Sequence, residues 1–239
     1  MRIAALGDLH IRDSAGVEFR RLFADVSEKA DILVLCGDLT DHGLPQEAEA
    51  LVEALAACSI PVVGVLGNHD CESGQQEEIA NLLSRSRVAV LDGEPFEVHG
   101  VGFAGVKGYA GGFGNCVLQP WGEHITKQFV QETLREVLRL ESALVRLQAE
   151  LRTQRNVAVL HYAPIHRTVE GEPPEIIPFL GSSRLVEPID RLGVSAVLHA
   201  HAHHGTREGR TPGGIPVYNV SLPVLRRSHD EQSYIVIEV

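Results

Sequence analysis

Cysteine is scarce in this sequence. There are four, Cys36, Cys58, Cys71 and Cys116, and no two of them form a C-x-x-C pair. That spacing argues against a zinc knuckle or a disulfide framework, so free thiols in a reducing, cytoplasmic compartment are expected. A membrane-length segment is also missing. No stretch reaches the roughly 18 apolar residues of a span, and no signal peptide precedes the first apolar run, so no membrane partner is expected. Positive charge is in deficit, with 21 Lys and Arg against 32 Asp and Glu and a formal net charge of −11. Such a chain repels a phosphate backbone, which disfavours nucleic acid as a partner. Bound metal ions would add local positive charge that this count omits. The glycines contain no G-x-x-x-x-G-K-[ST] pattern, which removes a P-loop nucleotide site.

What is present describes an α/β protein. The 239 residues, 44% of them hydrophobic, suffice for one buried core, and a single domain over 1–239 is expected. Runs rich in Val, Ile and Leu at 3–6, 32–36, 61–66, 157–160 and 196–198 fit strands buried on both faces. Between the early runs, residues 17–30 place Phe19, Leu22, Phe23 and Val26 on one helical face. Residues 46–57 do the same with Leu51, Val52 and Leu55, and Pro45 stands near the helix start. Alternation of strand and helix predicts a βαβ core with largely parallel strands. Residues 96–114 read as an antiparallel strand or hairpin followed by a glycine-rich loop. Residues 122–155 read as a long amphipathic helical segment, about 50 Å if continuous. It either covers a sheet or projects to meet another copy, which would make a homo-oligomer. Residues 162–183 hold four prolines and form a loop overhanging whatever lies at His161. Residues 216–222 and 233–239 read as two last strands.

The chemistry lies just after the apolar runs. The first is followed by Asp8 and His10, the second by Asp38 and Asp41, and the third by Asn68, His69 and Asp70. The fourth is followed by His161, and the fifth by four histidines within 199–204. The carboxyl ends of parallel strands share one edge of a sheet, so these scattered groups can converge. A glycine (Gly7, Gly37, Gly67) opens three of the five turns and lets backbone approach the site. Carboxylates, an amide oxygen and imidazoles without thiolate form a mixed donor set. It suits Mn, Fe or Zn, and it is too large for one ion, so two ions sharing a carboxylate are expected. In extended chain His199, His201 and His203 point the same way, which leaves their division open.

Taken in order, Asp8-x-His10, Gly37-Asp38-x-x-Asp41, Gly67-Asn68-His69-Asp70, His161 and a final His-x-His resemble the calcineurin-like metallophosphoesterase superfamily. The arrangement is similar to its small single-domain phosphodiesterases, and the resemblance runs from residue 3 to about 205. It implies two mixed β-sheets packed as a sandwich and flanked by helices. It implies that Asp8 and His10 bind a first metal, that Asp38 bridges, and that Asn68 and His161 bind a second. The last pair supplies one imidazole to each. The family has Gly before that pair. Here Ala200 keeps a small residue in the slot, whereas pairing His199 with His201 would put Leu198 there. The resemblance thus assigns His201 to the second metal and His203 to the first, with His199 a supporting neighbour and His204 facing solvent or substrate.

His69 is implied to face the substrate phosphate, where it would protonate the leaving oxygen or stabilise the phosphoryl charge. Asp70 or Asp41 is expected to orient it, although Asp41 equally suits a helix-start cap. The implied activity is phosphoester hydrolysis, diesters before monoesters, by a hydroxide held between two ions, Mn²⁺ or Fe²⁺/Fe³⁺ before Zn²⁺. The substrate would be a small phosphoester or nucleotide. A Mn²⁺-dependent nuclease and a catalytically silent metal-binding scaffold are the alternatives, and the complete ligand set favours the enzyme. Arg12, Lys107, Tyr109, His166, Arg167 and Arg207 lie near motif ends or in overhanging loops. Each is a candidate substrate contact or an ordinary surface residue.

Overall fold

The computed structural model describes residues 1–12, 14, 16–151, 153, 155–227 and 233–239. Four parallel strands, β1 (Arg2–Leu6), β2 (Ile32–Cys36), β3 (Val62–Val65) and β4 (Val88–Val90), start the first sheet. Their register sets Ile3 beside Ile32 and Leu33 beside Val62. All five residues of β2 are buried, because layers pack on both faces of the sheet.

The second sheet opens with a hairpin, β5 (Phe96–Val98) antiparallel to β6 (Val101–Val106). Beside β6 run β7 (Arg155–Leu160), β8 (Ala196–His199) and β10 (Pro216–Asn219), all parallel, and β9 (Glu208–Arg210) closes the far edge antiparallel to β10. The last strand, β11 (Ile235–Glu238), returns to the first sheet antiparallel to β1. Both sheets are therefore mixed, with five and six strands among the described residues.

Period-two alternation explains how the sheets stack. On β7, Val157 and Val159 join the core shared with the first sheet. Ala158 and Leu160 face the other way, into a cluster with Leu140, Leu144 and Ile189. Helices α1 (Gly16–Lys29), α2 (Pro45–Leu55) and α3 (Gln76–Arg85) pack on the first sheet through residues such as Phe23, Leu51 and Ile79. Helices α4 (His124–Arg146) and α5 (Val186–Leu192) pack on the second. Pro45 occupies the first turn of α2, where its missing N–H costs nothing.

The 122–155 stretch is helical from His124 to Arg146, about 34 Å, and passes through a π turn at Leu147–Leu151. Its Val137, Leu140, Ala143 and Leu144 are buried, so it lies along the sheet. The expected strand at 216–222 ends at Asn219, and Leu222–Arg226 forms a short helix, α6, with Pro223 in its first turn. Two three-residue strands, β4 and β9, are too short to show alternation in sequence. Among the described residues no helix is long and apolar enough to cross a membrane. The four cysteines are unpaired.

Candidate metal centre

Strands β1, β2 and β3 of one sheet and β7 and β8 of the other carry the motif residues just past their last residues. The turns that follow are unusual. Asp8, His10, Asp38 and His201 have φ of 57°, 43°, 47° and 69°, four of the six non-glycine residues with positive φ among those described. Backbone of this kind costs energy in any residue with a Cβ and persists where surrounding structure over-determines it. One glycine shows how tight the site is: a Cβ on Gly67 would lie 2.1 Å from Asp38 Oδ1. Another explains the departure at Ala200. A Cβ on Gly7 would meet the Ala200 methyl at 2.6 Å, so the methyl fills space that Gly7 leaves.

Three trios of donors form, each with its atoms within 4.8 Å of one another: Asp8–His10–His203, His10–Asp38–His69 and Asp38–His161–His201. The first is the outer one. Asp8 Oδ2 lies 3.4 Å from His203 Nε2, and the carboxylate accepts the backbone N–H of His201 at 3.0 Å. Burial pushes the Asp8 carboxyl up, but the His203 hydrogen bond and the nearby imidazoles outweigh it and hold Asp8 below the usual carboxylate range. His10 Nδ1 faces Asp41 Oδ1 at 3.2 Å. Its Nε2 is buried, makes no hydrogen bond and sits 3.9 Å from Asp38 Oδ2.

The inner trio is fully enclosed at His161. The Nδ1 of that ring donates to the Cys36 carbonyl at 2.9 Å, so a proton on Nδ1 alone leaves Nε2 as an acceptor. Its neighbours are Asn68 Oδ1 at 2.8 Å and Asp38 Oδ1 at 3.3 Å. Three lone-pair bearers meeting at one point need a proton or a cation between them. Burial also raises the Asp38 carboxyl, with His161 opposing. Desolvation, with His161 beside it, pushes His201 down to about 3, so its ring is neutral and able to coordinate. The Phe179 backbone carbonyl lies against that ring, and Tyr162 packs on it at 4.4 Å between centroids. The orphaned His10 nitrogen and this meeting of acceptors fit divalent cations with mixed O/N ligands. The carbonyl and carboxylate behind the imidazoles are the partners that orient ligating histidines.

The histidine cluster divides. His199 ends β8 with both ring nitrogens engaged, on the Ala200 carbonyl at 2.9 Å and Thr168 Oγ1 at 2.8 Å. The left-handed turn at His201 then breaks the strand's alternation and directs His201 and His203 to the trios. His204 meets Arg227 Nη1 at 2.8 Å.

Two sequence expectations change. The His69 Nδ1–H donates to the Asp41 backbone carbonyl at 2.7 Å rather than to either carboxylate. Asp70, expected to orient this imidazole in catalysis, is buried and accepts four donors: Leu39 N, Thr40 N, Thr40 Oγ1 and Gly67 N, at 2.6–3.2 Å. It ties the turn after β2 to the turn after β3. Asp41 does not cap α2, whose N-cap is Leu44; its carboxylate holds His10 and Arg12 Nε.

Of the other candidates, Lys107 Nζ stands 5.0 and 5.2 Å over the Tyr109 and Tyr162 rings. Arg167 pairs with Glu170, Arg207 lies 3.9 Å from Glu208, and His166 packs on Phe113. The carbonyls of Cys36 and Phe179, Thr168 and Arg227 join the site without a signal in the sequence. A carbonyl has no side-chain signature, and Thr168 and Arg227 are placed only by tertiary contact.

A family model described as calcineurin-like phosphoesterase matches residues 1–205. Among solved structures, the chain resembles phosphopantetheinyl hydrolase of Mycobacterium tuberculosis at 14% identity and a TM-score of 0.70, over 98% of this chain and 95% of that one. It also resembles the TT1561 protein of Thermus thermophilus at 18% identity and a TM-score of 0.60, over 93% and 90% of the two chains. A third likeness, at 14% identity and a TM-score of 0.56, is to a putative 5′-nucleotidase of Staphylococcus aureus. It covers 91% of this chain and 48% of that one. Comparison with curated protein sequences gives no match. At these identities the structures speak for the fold, and the motif-bearing span matched by the family model speaks for descent: the chain belongs to the calcineurin-like phosphoesterase family.

Proposed function

We propose that the chain is a binuclear phosphodiesterase whose two ions are Mn²⁺ or iron. The observation that carries this reading is the buried His10 Nε2, which has no hydrogen-bond partner and faces the Asp38 carboxylate, beside a His161 Nε2 that meets Asn68 Oδ1 and Asp38 Oδ1. Asp8, His10 and His203 would hold one ion, and Asn68, His161 and His201 the other. Asp38 belongs to trios on both sides and would be shared. Ions held there would lower the pKa of water toward neutrality and offset charge on the phosphate oxygens.

The protein's own part is positional. Asp38 Oδ1 also accepts the His69 backbone N–H at 2.8 Å, so the carboxylate that would be shared is tied to the neighbouring turn that carries the acid. His69 keeps Nδ1–H on the Asp41 carbonyl, so Nε2 is the ring atom left for the leaving oxygen, to which the doubly protonated ring would pass its second proton. Asp70 holds both turns in place from behind. The guanidinium of Arg12 is taken by Asp41 and is not free to meet the second negative charge of a monoester, which favours a diester monoanion. Four unpaired cysteines fit a cytoplasmic setting.

The test is metal analysis with turnover. Protein stripped by chelation and reloaded with Mn²⁺ is expected to retain two ions per chain and hydrolyse bis(p-nitrophenyl) phosphate faster than p-nitrophenyl phosphate. Retention of no transition metal, or equal inactivity before and after loading, overturns the reading.

A further inference from the structure

Beside the metal centre lies an apolar cavity of about 520 Å³ that the phosphodiesterase reading leaves unused. Its walls include Cys116, Leu118, Ile125, Phe129, Pro178 and Phe179, and none of its described lining residues is charged. The glycine-rich loop after β6, the first turns of α4 and the proline-rich loop after β7 build it. Ile125 and Phe179 are 71% and 58% exposed, unusual for large apolar side chains lining one hollow.

Two observations join this cavity to the site. Phe179 walls the cavity, and its backbone carbonyl lies against the His201 ring. An aromatic run also connects them: Phe129 to Tyr109 at 5.0 Å, Tyr109 to Tyr162 at 5.8 Å, and Tyr162 to His201 at 4.4 Å. Packed rings therefore run from the inner trio to the cavity wall at Phe129. A second groove contrasts with this one: Asp92, Lys107, Glu132, Glu136 and Arg139 line it, and Arg139 is already paired with Asp92 and Glu136.

We propose that the apolar cavity receives the organic group esterified to the phosphate, and that this group is an uncharged, largely apolar chain. The proposal rests on the phosphodiesterase reading and narrows it. The volume is in the range that encloses a small organic ligand. A nucleobase or second phosphate placed there would lose its water for a wall whose described residues carry one hydroxyl, that of Thr126.

The experiment measures kcat/KM of the Mn²⁺-loaded protein on alkyl p-nitrophenyl phosphodiesters from methyl to octyl. An increase of about threefold per methylene is expected while the chain enters the cavity, as burial of CH₂ groups dictates. In Ile125→Asp and Phe179→Asp, both changes at exposed positions, the rise should level off. Added 1-octanol, which carries no phosphate, should inhibit the octyl ester and spare the methyl ester. Turnover with a flat chain-length profile overturns the proposal and leaves the phosphodiesterase reading standing. A rise that is equally steep in both variants also overturns it. Turnover of no ester at all removes the phosphodiesterase reading and this proposal with it. A doubled mass in light scattering that both variants abolish assigns the face to a second copy of the chain, against the proposal.

Discussion

The inner and outer halves of the site are built from the same residue types, yet they are held differently. In the inner half His161 is fully buried, and its Nδ1 is fixed on a main-chain carbonyl. The His201 ring packs on Tyr162 at 4.4 Å and on His161 at 4.8 Å between centroids. In the outer half the His10 and His203 side chains are 23% and 37% exposed. His10 relies on Asp41, a carboxylate it shares with Arg12. Carbonyls of a packed chain cannot rotate away or change charge, whereas a carboxylate shared with the exposed Arg12 can exchange that partner for water and salt. The inner half is a rigid cradle, and the outer half is adjustable.

The largest effect that would test this contrast comes from Asp38, the carboxylate both halves use. Asp38→Asn should lower kcat/KM on a phosphodiester by about 10³-fold or more, near 4 kcal/mol in the barrier, and reduce bound metal by mass spectrometry. A variant that keeps both ions and near-normal turnover would show that the halves do not share it.

His69→Ala should come next, with both ions retained and turnover of an alkyl leaving group down by about 10²-fold or more. A p-nitrophenyl leaving group needs less protonation and should lose less. Equal loss on both esters would assign His69 to binding rather than acid catalysis.

Asp41→Ala separates the halves directly. It removes the partner of His10 Nδ1 while leaving the main-chain carbonyl that holds His69. Affinity for one ion should weaken by about 10- to 100-fold, the usual cost of losing such a partner, and the other ion should be unaffected. Stepwise chelation followed by mass spectrometry distinguishes this from a parallel loss of both ions.

The smallest effect on metal is expected at His199. His199→Gln should retain two ions and melt a few degrees lower, because the Thr168 contact is worth about 1 kcal/mol and a chain of this size shifts about 2–4 °C per kcal/mol. Loss of an ion in this variant would return His199 to the ligand set.

Much of this is legible in the chain. Apolar runs such as Ile32–Cys36, buried on both faces, have no polar alternation to hide them, and the ends of five such runs carry the donor residues. Alternation over three residues is no signal, so β4 and β9 leave no trace in the sequence. Asp70 is legible as a site residue but not in its role. An acid next to a histidine in sequence invites pairing with it, while the turn points this carboxylate inward to four donors, three from the turn after β2 and one from its own.

By itself the sequence determined the five buried strands that carry the site, which donors follow them and that these donors suit divalent cations, because periodicity and ligand chemistry are local properties. The tertiary structure alone decided how the donors divide. The positive φ at His201, the Cys36 carbonyl behind His161 and the fit of the Ala200 methyl over Gly7 all arise where separate strands meet. The energy of such contacts depends on distances that no stretch of chain specifies alone.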